Sequence, residues 1–148
     1  MNAINVQNRQ RAVRFELRWL REFAAMAMKA CSGHSADQRF ALRQLAEVDV
    51  AVVSDRTIAR VHLDFMNIPG ATDVITFEHG EIVMSAQTAQ LYAAEHGHSV
   101  EQELALYTVH GLLHLNGFED TTPREAARMH GIQDQILVAC LAQLPAPT

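Results

Sequence analysis

The sequence predicts an α/β (α+β) protein in which a single small mixed sheet of about four strands packs with about five helices. Three observations carry this expectation. Apolar β-branched runs with period two fall mainly in the first half of the chain, at 3–8, 45–54 and 72–85. Stretches with apolar residues three and four apart lie between these runs and fill the rest of the chain. No internal repeat, low-complexity tract or linker divides the sequence, so one domain over residues 1–148 is expected.

The elements follow in order. "AINVQN" alternates polar and apolar residues as an edge strand does. From Arg11 to Cys31 the residues Val13, Leu17, Leu20, Ala24 and Met28 mark one face of an amphipathic helix, which "CSGHSADQ" ends. "LAEVDVAVVS" alternates and then turns wholly apolar, as a strand does whose far end lies buried in a sheet. Ser54 is an N-cap for a helix over Asp55–Met66, and "NIPGA" is the turn after it. "TDVITFEHGEIVMS" reads as two strands joined tightly at Glu78, His79 and Gly80. Ser85 caps a helix over Ala86–His96, with Gly97 at the left-handed position beyond its end. Ser99 and Gln102 form a capping box that opens a strongly apolar helix to about Asn116, and Gly117 stops it. Thr122, Pro123 and Glu125 start the last helix, with Met129, Ile132, Ile136, Leu137 and Leu141 on its apolar side.

Composition narrows the class. With 49% hydrophobic and 20% charged residues the chain is of the globular kind, able to bury about two-thirds of its unfolded surface. No apolar run approaches the roughly 20 residues of a membrane span, and "MNAINVQNRQRAVRF" lacks a signal-peptide core, so a cytoplasmic protein is expected. Cys31 and Cys140 stand far apart, outside any paired spacing, which favours free thiols in a reducing compartment. A net charge of −5 argues against coating nucleic acid by bulk attraction, while the cluster Arg9, Arg11, Arg14, Arg18 and Arg21 offers local phosphate contacts.

The chemistry concentrates in "HGLLHLNGFED", residues 110–120. Four residues apart on a helix, His110 and His114 share a face and can direct imidazole nitrogens to one ion. Gly117 permits a reversal that returns Asp120 towards them, ahead of Glu119, a candidate only as an alternative. Two histidines and a carboxylate leave the fourth position of tetrahedral zinc open, as catalytic sites do. In a chain of 8 histidines such a pair alone is unremarkable, but these two sit in "YTVHGLLHL", apolar enough to be buried, where neighbouring imidazoles are hard to satisfy without an ion. Gly111 occupies the position where a zinc protease of the His-Glu-x-x-His type carries its general base, which disfavours peptidase chemistry.

This stretch resembles the YbeY family of metal-dependent endoribonucleases and ribosomal RNA maturation factors, whose motif reads His-Gly-x-Leu-His-Leu-x-Gly-Tyr-Asp-His. His110, Gly111, Leu113, His114, Leu115 and Gly117 match in register, and Phe118 stands for the tyrosine. "TDVITF" and "GEIVMS" are similar to two strand motifs of the family, and the resemblance runs from about Val48 to Ile136. It implies a zinc-dependent endoribonuclease acting on single-stranded RNA, in 16S ribosomal RNA 3′-end maturation and ribosome quality control, with the small ribosomal subunit and its assembly proteins as partners. One Zn²⁺ is expected on His110, His114 and Asp120, where Asp120 replaces the family's third histidine. Met66 stands where the family carries an arginine. Thr72 and Asp73 are candidates for substrate contact, set against the ordinary backbone-bonding role of such residues at a strand entrance. His62, His79 and His130 are the candidates for a general acid, none singled out. The alternative is a non-catalytic ribosome assembly factor whose metal site is structural.

Overall fold

A computed structural model describes residues 2–34 and 41–148. The latter half of the "CSGHSADQ" break lies outside the described residues. Four strands form one mixed sheet: β1 (Ala3–Asn8), β2 (Glu47–Val53), β3 (Val74–Phe77) and β4 (Glu81–Ser85). Their spatial order is β1-β2-β4-β3, with β1 and β4 parallel to β2 and β3 antiparallel to β4. The five α-helices are α1 (Leu17–Cys31), α2 (Asp55–Met66), α3 (Ala86–His96), α4 (Val100–Leu115) and α5 (Pro123–Leu141).

The pleat of β2 sorts its side chains between two apolar layers. Val48, Val50 and Val52 join Ile82 and Met84 in the main core with residues of α1, α4 and α5, whereas Ala51 and Val53 join Val83, Ile75 and Ile58 of α2 on the opposite face. That second layer covers only the end of β2. The strand therefore alternates first and becomes wholly apolar where α2 lies over it.

Local chemistry sets most boundaries where expected. Ser54, Ser85 and Thr122 each accept a hydrogen bond from the backbone N–H three residues on, and Ser99 and Gln102 make both bonds of a capping box. The first helix is a correction: it begins at Leu17, not Arg11. The Gln10 side chain bonds both Val13 N–H (2.9 Å) and Val13 C=O (2.9 Å), holding the segment before the helix in a bend. Val13 is buried from that bend. Glu16 N–H then donates to Glu101 Oε2 of α4 (2.8 Å), a tertiary cap for α1.

Helix α4 crosses the sheet so closely that a Cβ on Gly111 would lie 2.8 to 3.1 Å from three side-chain atoms of Ile82. Position 111 thus faces the sheet, and a general base there would be buried against apolar carbon. Because Ile82 is fully buried, Gly111→Ala is expected to cost about 1–2 kcal/mol, overpacking outweighing the better helix propensity of alanine. Thermal melting checks this, and Ile82→Val in the same chain should recover part of the loss. A more stable Gly111→Ala would show that the helix can lift without penalty.

Candidate active site

The C-terminal end of α4 carries the site because the helix stops abruptly there. Gly117 takes φ 92°, and the following bonds are those of a Schellman turn: Gly117 N–H to His114 C=O (3.1 Å) and Phe118 N–H to Leu113 C=O (3.0 Å). Phe118 is buried beneath the Arg128 guanidinium, 5.3 Å from its ring centroid, and anchors the turn. The chain reverses, and Asp120 comes back over the helix end.

Three ligand-type atoms converge there. His110 Nε2 and His114 Nε2 lie 3.1 Å apart, and Asp120 Oδ2 lies 3.6 and 3.8 Å from them. A ring nitrogen of His130 on α5 comes within 4.8 Å of ligand atoms of His110 and Asp120. Glu119 borders the same space, but it is the Asp120 oxygen that reaches both imidazoles.

The outward nitrogens fix the tautomers. His114 Nδ1 lies 2.9 Å from the carbonyl oxygen of Phe118, which can only accept, so Nδ1 carries the proton. His110 Nδ1 lies 2.7 Å from Gln133 Oε1 and donates likewise. Both Nε2 lone pairs therefore face each other across 3.1 Å, an arrangement that repels unless a cation or proton stands between them. A proton is disfavoured on His110, whose pKa burial pushes below the ordinary histidine value, with the Gln133 bond opposing that only in part. The donor set and its geometry fit a borderline divalent metal.

Around this cluster lies an open cleft of about 460 Å³, bounded by His62 and Met66 of α2, Thr72 to Thr76, Glu78, and Leu115, Glu119 and Asp120. No lysine or arginine of the described residues lines it, while Asp73, Glu78, Glu119 and Asp120 do. The Arg-rich N-terminal segment lies elsewhere, and none of its five arginines reaches the cleft. Thr72 and Asp73 line it, but Asp73 Oδ1 accepts from Val74 N–H (2.7 Å) and from Thr72 Oγ1 (3.4 Å), capping the strand as such residues ordinarily do. Of the three other histidines, His62 borders the cleft, donating from Nδ1 to Gly70 C=O (3.0 Å), and His130 flanks His110. His79 stacks on Phe77 outside it. Sequence reasoning missed Gln133 and Phe118 C=O. The first sits 23 residues from its partner in the chain, and neither has a periodicity to announce it.

A mixed four-stranded sheet with an imidazole and carboxylate cluster lining an open acidic cleft defines the class: an α+β protein with a candidate metal centre at the end of α4. The family model described as Endoribonuclease YbeY matches residues 5–140, and this chain belongs to that family. A relative named Endoribonuclease YbeY from Renibacterium salmoninarum is 35% identical over 129 residues, covering 75% of this chain and 82% of its own. One of the same name from Rhodococcus opacus is 34% identical over 118 residues, covering 67% of this chain and 66% of its own. The solution structure of TM1509 from Thermotoga maritima superposes with a TM-score of 0.63 at 25% identity, covering 95% of this chain and 90% of that one.

Proposed function

We propose that this chain, acting as one domain, is a zinc-dependent, single-strand-specific endoribonuclease of the cytoplasm. Its substrates on this reading are ribosomal RNA precursors, at the 3′ end of 16S ribosomal RNA, and defective ribosomes, met in company with the small subunit and its assembly proteins. The observation that supports it best is the pair of pinned imidazoles: with both Nδ1 protons committed to Phe118 and Gln133, the two Nε2 lone pairs and Asp120 Oδ2 point at one position. His110, His114 and Asp120 would hold one Zn²⁺ there. When bound, the ion would supply Lewis-acid polarisation of a phosphoryl oxygen and a water of lowered pKa. The chain's own residues do the rest. Gln133 and Phe118 keep the tautomer a ligand needs, and Asp73 orders the strand along which RNA lies. His62, whose Nδ1–H donates to Gly70 C=O, borders the cleft on the α2 side, and His130 lies beside His110; either is a candidate for the general acid.

Membership of the family and an RNA substrate go together with one feature that favours a second reading. Among the described residues no lysine or arginine lines the cleft, and Met66 occupies the rim where the family carries an arginine, so charge developing on a scissile phosphate would lack that support, as suits an assembly factor whose metal site is structural. Met66→Arg is expected to lower KM for RNA about 3- to 10-fold and to steepen the salt dependence of binding by about one phosphate contact. Binding measured across a salt series checks both, and an unchanged slope would mean that RNA does not pass α2.

The test of the proposal is cleavage of an end-labelled single-stranded RNA oligomer, with a duplex of the same sequence alongside. Internal cuts in the single strand alone, abolished by chelator and restored by Zn²⁺, are expected. Absence of cleavage with any divalent metal would leave the assembly-factor reading as the account of this chain.

A further inference from the structure

A second cluster of ligand-type side chains lies where α3 passes into α4. His96 closes α3, Gly97 turns the chain, His98 precedes the N-cap Ser99, and Glu103 stands in the first turns of α4. His98 Nε2 is 2.6 Å and His96 Nδ1 is 3.2 Å from the same carboxylate oxygen, Glu103 Oε1, and one ligand atom from each residue lies within 4.8 Å of the others. Glu103 is buried, its side chain 3% exposed, and no lysine or arginine of the described residues pairs with it. A carboxylate so deep is held either by hydrogen bonds from the two imidazoles or by a cation that all three groups share.

Tyr107 supplies a second, independent observation. One helical turn beyond Glu103, it is almost wholly buried, and its hydroxyl has no hydrogen-bond partner. Both imidazoles address Oε1, and the Tyr107 hydroxyl is an unused donor one turn along α4 from Glu103.

We propose that His96, His98 and Glu103 form a second metal site, which takes a borderline divalent cation of the zinc class. Two imidazole nitrogens and one carboxylate oxygen are zinc donors, and tetrahedral ligands about 2.0–2.2 Å from an ion lie about 3.3 Å apart. The observed 3.2 and 2.6 Å require the ligands to open by less than 1 Å, and the imidazoles are free to do so, His96 being half-exposed. A groove of about 290 Å³ runs from His96, Glu103 and Tyr107 to His110 and Gln133. An ion held by these residues would lie beside that groove, which reaches His110 at the flank of the cleft.

The inference does not rest on the zinc site of the cleft, and its test separates the two. Stripped full-length protein is titrated with Zn²⁺ against a competing chromophoric chelator, for the parent, His98→Ala, His96→Ala and His114→Ala, with folding checked by circular dichroism. Two equivalents are expected in the parent, and one in each variant, the lost equivalent weakened at least 100-fold. One equivalent in the parent, kept by both His96→Ala and His98→Ala and lost by His114→Ala, would overturn this proposal and leave the cleft site standing. One equivalent kept by His114→Ala and lost by the other two would uphold it and remove the cleft site. No binding in the parent would overturn both.

Discussion

Replacing His114 by alanine is expected to lower kcat/KM for a single-stranded RNA oligomer about a thousandfold, equivalent to about 4 kcal/mol of transition-state stabilisation. The side chain sits at the edge of the cleft, and what it gives the fold is one bond to Phe118 C=O, worth about 1 kcal/mol. What it gives the site is larger. Without it His110 and Asp120 remain, and two ligands do not define a tetrahedral position for zinc. The variant should therefore bind one equivalent of Zn²⁺ fewer than the parent and keep its far-ultraviolet circular dichroism. Initial rates, metal titration and melting on the same preparation decide the matter together. If the melting temperature falls steeply while cleavage by the parent was already absent, the metal is a structural one, whose binding energy is folding energy.

Asn116→Ala is expected to cost about 2–3 kcal/mol of stability, because it removes three hydrogen bonds and leaves the buried Leu42 N–H without its acceptor. Asn116 is 1% exposed. Its Oδ1 accepts from Leu42 N–H (2.7 Å), and its Nδ2 donates to Cys31 C=O (2.8 Å) and to His34 C=O. One amide thereby ties the end of α1, the segment before β2 and the end of α4 together. Urea unfolding should give a lower midpoint with an unchanged slope. A loss below about 1 kcal/mol would mean that water replaces the amide at little cost.

Much of this was legible from local chemistry. The bounds of α2 and α3 coincide with their expected spans because Ser54 and Ser85 satisfy backbone donors three residues away, within the reach of the sequence pattern. The α1 start was not legible, since what delays it is a Gln10 bend and a carboxylate from α4, 85 residues distant. The two cysteines are free, as their spacing suggested, and the fold buries both; burial pushes the Cys31 thiol up to about 12. No described helix is long and apolar enough to cross a membrane.

The sequence by itself determined the strands, the helices apart from the start of α1, the two histidines on one helical face and the glycine that turns the chain back, because each depends on residues within four or five positions. Only the tertiary structure decided which carboxylate reaches both imidazoles, which partners pin their protons, and that His96, His98 and Glu103 meet above a buried tyrosine. Those facts depend on how a helix end lies against its neighbours. Directed hydrogen bonds between segments remote in the chain leave no periodic trace in the residues that make them.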